Sequence, residues 1–176
     1  ISSGATLNDP GDRKIIGNNS PRFKFGLDLN ASWKGFDARL FFQGVAKRDA
    51  WLGDNMFWGA TGDIWQSACF TPHLDFFREG DDFWSPNTNA YFPRPLSVNY
   101  AKNQQAQTRY LQNAAYVRLK NLSIGYTIPA RITSKMGISN LRIFFSGENL
   151  FTLTGLPQGF DPETIGTGYG SGSYTS

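Results

Sequence analysis

The chain has 176 residues, 40% apolar and 18% charged, with a net charge of +3. That balance excludes a disordered segment, and with no more than two adjacent Lys or Arg it also excludes a charge-built nucleic-acid surface. One cysteine, Cys69, excludes an internal disulfide framework, and no apolar run approaches the ~20 residues of a membrane helix, which leaves a membrane β-barrel open.

Residues 1–20 are turn chemistry, with Gly4, Asp9-Pro10-Gly11-Asp12 and Asn18-Asn19. PRFKFGLDLNASW then alternates without exception. Phe23, Phe25, Leu27, Leu29, Ala31 and Trp33 fall on one side, and Arg22, Lys24, Asp28, Asn30 and Ser32 on the other. That period predicts a strand near 22–33 with one apolar and one polar face. Lys34-Gly35 reverses the chain, and FDARLFFQGVAKR alternates again near 36–47, with Phe41 and Val45 out of phase. The pair reads as a hairpin.

Residues 48–112 show no sustained period but hold Trp51, Trp58, Trp65 and Trp84. So long a segment without regular structure is usually functional or disordered, and its aromatic load argues against disorder. A third strand is predicted near 114–128. Leu122, Ile124, Tyr126 and Ile128 share a parity that Val117 and Leu119 oppose, so a β-bulge is expected at Lys120-Asn121. LRIFFSGENLFTL predicts a fourth strand near 140–152, and 153–176 reads as loop, ending in a Gly/Ser/Thr tract.

Four strands of about 12 residues, joined short, long, short, exceed the usual 5–6 residues. They match transmembrane barrel strands, with short turns at one end and long loops at the other. Trp33, Phe36 and Tyr126 lie beside the short turns, where an aromatic girdle belongs. Arg118 and Lys120 would then face a wet lumen or the outer end of the strand. A soluble β-sandwich also alternates and is the plainer rival. Four strands cannot close a barrel, so the barrel reading requires partner strands outside this sequence. Both ends read as cut from a longer chain.

Three blocks carry a family likeness: Gly11 to Gly44, Tyr116 to Pro129, and Leu141 to Glu163 (LRIFFSGENLFTLTGLPQGFDPE). In order and spacing they resemble the late barrel strands of SusC/RagA-type TonB-dependent outer-membrane transporters. The resemblance implies an all-β, antiparallel barrel of 22 strands with an internal plug. This chain would supply strands 18 to 21, without the plug or the last strand, and 48–112 and 153–176 would be extracellular loops. It implies import of an oligosaccharide or peptide under a SusD-type lipoprotein lid, driven through TonB, with no chemistry on the cargo and no cofactor. The alternatives are a secreted β-sandwich that grips carbohydrate, and a TonB-dependent receptor for an iron chelate or vitamin.

Within the loop, Trp51, Trp58, Trp65 and Trp84 are the candidates for ligand contact, because aromatic faces stack on sugar rings and on apolar peptide groups. The plainer reading packs them on the loop itself. Cys69 and His73 lack the third ligand that zinc needs. Glu79, Asp81 and Asp82 read as a solvated loop corner, with Ca²⁺ as the sharper alternative. Gly166, Gly168 and Gly170 imitate a phosphate loop without its strand and helix. Arg22, Lys24, Asp28, Asp37 and Arg39 are expected to line the lumen, where they would pair with one another or face the plug.

Overall fold

Alternating side chains produce strands here because one continuous oily surface can form only if every second residue faces it. The computed structural model describes Gly11 and residues 14–59, 69–81, 83–96 and 100–165. In chain order it contains β1 (Arg22–Trp33), β2 (Phe36–Lys47), β3 (Asp49–Trp51), α1 (Asn55–Trp58), β4 (Leu111–Asn113), β5 (Tyr116–Ile128), α2 (Ala130–Thr133) and β6 (Leu141–Thr154). The four long strands form one antiparallel sheet in the order β1-β2-β5-β6, and β3 pairs with β4.

The chain divides into two compact units. A sheet unit takes 18–50 and 112–163, and a loop unit takes 51–111 with 1–17 and 164–176. In the sheet unit, directly paired residues share a face. Leu29, Leu40 and Leu122 form one row, Ala31, Ala38, Ile124 and Phe145 the next, and Trp33, Phe36, Tyr126 and Ile143 the last before the turns. The opposite face carries Asp28, Asn30, Asp37, Arg39, Ser123, Arg142 and Ser146.

The bulge falls where the parity change places it. Lys120 is skipped in both ladders: Asn121 pairs with Phe41 and Glu148, whereas Leu119 pairs with Phe42 and Phe151. The one extra residue returns Val117 and Leu119 to the face of Leu122 and Ile124. β6 answers with its own irregularity at Asn149, whose φ is +52°. The two exceptions in β2 also have causes. Phe41 lies across Gly26, where an added Cβ would meet its ring at 3.3 Å, and Val45 is buried opposite Tyr116.

The β1–β2 turn has positive φ at both central residues, +47° at Lys34 and +91° at Gly35. This twist suits a two-residue hairpin. At the same end, Pro129 closes β5, and α2 with a following 3₁₀ turn leads to Gly137 in the left-handed region. Leu27, Leu29, Ile124, Phe145 and Phe151 are all 45% or more exposed. A soluble sheet would cover such a surface, whereas lipid needs it bare. Among the described residues, the outer strands β1 and β6 each have a partner strand on one side.

Candidate functional site

Two polar-to-aromatic constellations stand out, one in each unit. In the loop unit, Asp54 caps α1 by accepting from the Phe57 N–H at 3.0 Å. That short helix delivers Phe57 and Trp58 into a packed cluster with Phe92 and Tyr110. Trp58 is 4% exposed, and its indole N–H donates to the Leu52 carbonyl at 3.0 Å. Tyr110 donates to the Tyr91 carbonyl, and burial pushes its phenol up from the ordinary value. Each such ring contributes about 1.5–3 kcal/mol by leaving water, which is how a loop with few regular ladders holds a shape.

His73 belongs to this packing. Its Nδ1 accepts from the Phe70 N–H at 3.0 Å, which leaves Nε2 to donate to the Phe57 carbonyl at 3.1 Å. Both ring nitrogens are thus spent on main chain. Cys69 is exposed and directly precedes Phe70, whose ring lies 5.7 Å from that of His73. Among the described residues no group of three His, Cys, Asp or Glu gathers as a metal site.

The four tryptophans separate. Trp58 is interior, and Trp51 is half-buried with its ring 5.8 Å from that of Trp58. Trp65 lies outside the described residues. Trp84 is 46% exposed, beside Phe83 at 95%. The turn that displays this pair is built by neighbours. Asp81 accepts from the Phe83 and Trp84 N–H groups at 2.9 and 2.7 Å. Arg78 donates to the Ser85 and Leu74 carbonyls, and its guanidinium lies between the Phe76 and Trp84 rings, 5.1 and 5.2 Å from their centres. Asp75 ties the base of the loop: the Asn87 amide and then the Tyr91 N–H hold its carboxyl below the usual range. Asp81 is therefore a turn-former. Its neighbour Asp82 lies outside the described residues, as do Gly166, Gly168 and Gly170.

In the sheet unit, Arg118 answers the puzzle of a cation in mid-strand. It is 8% exposed and donates to Thr152 at 2.8 Å, to Glu163 at 2.7 Å and to Asp161 at 2.7 Å. Lys120 donates to the same Glu163 oxygen at 2.8 Å, and the Tyr116 hydroxyl to the other at 3.3 Å. Burial opposes ionisation of Asp161, but the Arg118 hydrogen bond, the Glu163 N–H and the two nearby cations hold its carboxyl below the ordinary value. This network clamps the segment after β6 onto the polar face. Further along that face, Asp28 pairs with Arg39 at 2.6 Å, and Asp37 pairs with Arg142. Arg142 reaches its partner across Gly125, where a Cβ would lie 2.8 Å from its guanidinium carbon. Sequence reading anticipated the Asp28–Arg39 pair but neither Arg142 as the partner of Asp37 nor the 118–161–163 network, whose partners lie more than 40 residues apart. The only signal was the i, i+2 spacing of the cations and of the acids.

No family model matches the chain. TonB-dependent receptor P3 of Formosa agariphila is 36% identical over 153 residues, which cover 86% of this chain and 14% of the receptor. TonB-dependent receptor P26 of the same organism is 25% identical, over 93% of this chain and 16% of its own length. Among solved structures, the RagAB peptide transporter aligns with a TM-score of 0.59 and 27% identity, over 85% of this chain and 15% of that one. The RagAB peptide importer in its closed-closed state aligns with a TM-score of 0.61 and 26% identity, over 92% and 16%. The chain thus spans 14% to 16% of the length of these relatives.

Proposed function

This chain is a β-barrel segment of a SusC/RagA-type TonB-dependent outer-membrane transporter, and on that premise we propose that the whole protein imports a nutrient oligomer across the outer membrane. TonB supplies the drive, a SusD-type surface lipoprotein closes over the barrel mouth, and the cargo crosses without chemical change. The observation that carries this reading is the unbroken apolar face of the sheet set against a charged, paired opposite face, which is what a barrel wall between lipid and water requires. Kinship with solved peptide transporters at 26–27% identity favours peptide over oligosaccharide as the cargo class.

In this reading the loop unit is extracellular, and Trp84 with Phe83 forms its exposed contact for cargo. Trp51 flanks the same unit, Trp58 supports it from within, and Trp65 stays a candidate for the same role. An exposed, preorganised ring pair loses little freedom on binding.

The test is uptake by cells whose only copy of the full-length transporter carries Trp84→Ala. Uptake of a labelled peptide mixture should fall about five- to tenfold, the effect of losing about 1–1.4 kcal/mol of binding, with surface levels unchanged. Unaltered peptide uptake together with loss of a labelled oligosaccharide would overturn the peptide assignment. Recovery of the protein from the soluble fraction without detergent would overturn the transporter reading itself.

A further inference from the structure

The stretch that carries Trp84 is fastened at its legs and at its tip. The legs join where the Arg78 and Asn87 main chains exchange hydrogen bonds of 3.2 and 2.9 Å. The tip closes where the Asp81 N–H donates to the Trp84 carbonyl at 3.0 Å, while the Asp81 carboxylate accepts from the Phe83 and Trp84 N–H groups. Gly80 makes the bend between them, with φ of +99°. These bonds fix the main chain at Trp84. They do not fix its side-chain torsions, which decide where the indole face points.

The ring is held by a different group. Nε of Arg78 donates to the Ser85 carbonyl at 2.8 Å, and a terminal nitrogen donates to the Leu74 carbonyl at 3.1 Å. Leu74 lies on the leg before the tip and Ser85 after it, so the guanidinium fork spans both. A planar fork held by two donors cannot turn freely. Against that fixed plane lie the Phe76 ring at 5.1 Å and the Trp84 ring at 5.2 Å, and the two rings are 6.1 Å apart at 63°. A cation within about 6 Å of an aromatic centre attracts its face. All of these contacts are closed within residues 74–87, inside the loop unit.

We propose that Arg78 is the positioning residue for Trp84: its guanidinium sets the orientation of the indole before cargo arrives. Asp81 decides where the ring is displayed, and Arg78 decides how it is turned. A ring oriented in advance loses less freedom on binding, so the effect belongs to affinity and not to the transport step. The inference rests on the reading of Trp84 as a cargo contact and adds the group that makes that contact strong. Lysine does not substitute, because an ammonium is a point charge with neither plane nor fork.

The experiment measures uptake of the labelled peptide mixture against its concentration, in cells whose only copy of the full-length transporter is a variant. The variants are Arg78→Met, Arg78→Lys, Trp84→Ala, and Arg78→Met combined with Trp84→Ala. Arg78→Met should raise the half-saturating concentration about two- to fivefold, the factor for one side chain that must be ordered on binding. Maximal uptake and surface level should not change. Arg78→Lys should raise the half-saturating concentration by a similar factor. Trp84→Ala should raise it more, and adding Arg78→Met to Trp84→Ala should raise it no further, since no ring is left to position. A further rise in the double variant would overturn the proposal, because Arg78 would then act apart from Trp84. Full recovery with Arg78→Lys would overturn it by reducing the effect to charge. Lower maximal uptake at an unchanged half-saturating concentration would reduce Arg78 to a structural group. A raised value in Trp84→Ala with wild-type behaviour in Arg78→Met would sink the positioning role alone, whereas an unchanged value in Trp84→Ala would sink the cargo contact and the positioning role together.

Discussion

The sheet unit and the loop unit solve the same problem by opposite means. In the sheet, order comes from the backbone: 12- to 14-residue ladders satisfy the N–H and C=O groups, and the side chains are left to face two different solvents. In the loop, regular ladders are few, and order comes from buried rings plus side chains that cap main-chain groups. Asp54, Asp75, Arg78, Asp81 and Arg109 each hold backbone atoms that no strand would satisfy. The sheet therefore tolerates exposed apolar residues by the dozen, while the loop concentrates its apolar area around Phe57, Trp58, Phe92 and Tyr110. One lesson is that aromatic content has two meanings in a single chain: girdle and lipid contact in one unit, a small dry core in the other.

The contrast can be broken most sharply at Trp58. Trp58→Ala removes the central ring of the loop cluster and should cost about 3–5 kcal/mol there. Amide exchange should accelerate at residues 52–58 and 110 while the strands keep their protection. Equal loss of protection in both units would mean that the loop core is not separate. In the sheet, Leu40→Lys places a cation in the middle of the apolar face and should cost about 2–4 kcal/mol in a bilayer, read as a lower unfolding midpoint in denaturant. The neighbouring Arg39→Lys, on the polar face, should change it by less than about 1 kcal/mol.

The clamp at the end of β6 gives a smaller, pH-dependent effect. Asp161 has a folded-state pKa held below its ordinary value. Its contribution is present above the ordinary aspartate range and is lost as pH falls below about 4 toward the lowered value. Acidification through that window should free the 155–163 segment to limited proteolysis, and Asp161→Asn should give a chain that is already susceptible at neutral pH. A further local effect is expected at Gly35, where φ of +91° and a Thr127 carbonyl 2.9 Å from the position of a Cβ disfavour a side chain. Gly35→Ala should cost about 1 kcal/mol, visible as slower assembly of the hairpin and little else.

How far the sequence revealed each unit follows from the same physics. The alternation of Phe25 to Trp33 and of Leu122 to Ile128 is a local property, and so was readable residue by residue. The bulge at Lys120 was readable too, because an extra residue inverts parity on one side of it. The shape of the loop was not, because it depends on Trp58 meeting Tyr110 and on Asp75 meeting Tyr91, contacts whose sequence separations follow no period. The Trp residues were legible as a group but not as individuals: composition could not tell the buried Trp58 from the exposed Trp84. The Arg118 network was hidden for a related reason. A cation in a strand signals a polar neighbour, but nothing local says that the neighbour is a DPE segment arriving after the next strand.

The central claim is that this sheet is a barrel wall with lipid on one face and water on the other. The most direct test labels two adjacent residues of β6, Phe145→Cys and Ser146→Cys, with a nitroxide in the full-length protein carrying Cys69→Ser, in liposomes. Phe145 pairs with Ile124 on the apolar face, and Ser146 pairs with Ser123 on the polar face. The label at 145 should relax faster with oxygen and be shielded from a water-soluble nickel chelate, and the label at 146 should show the reverse. Equal access of the nickel chelate to both labels would contradict a membrane wall and return the sheet to a soluble fold.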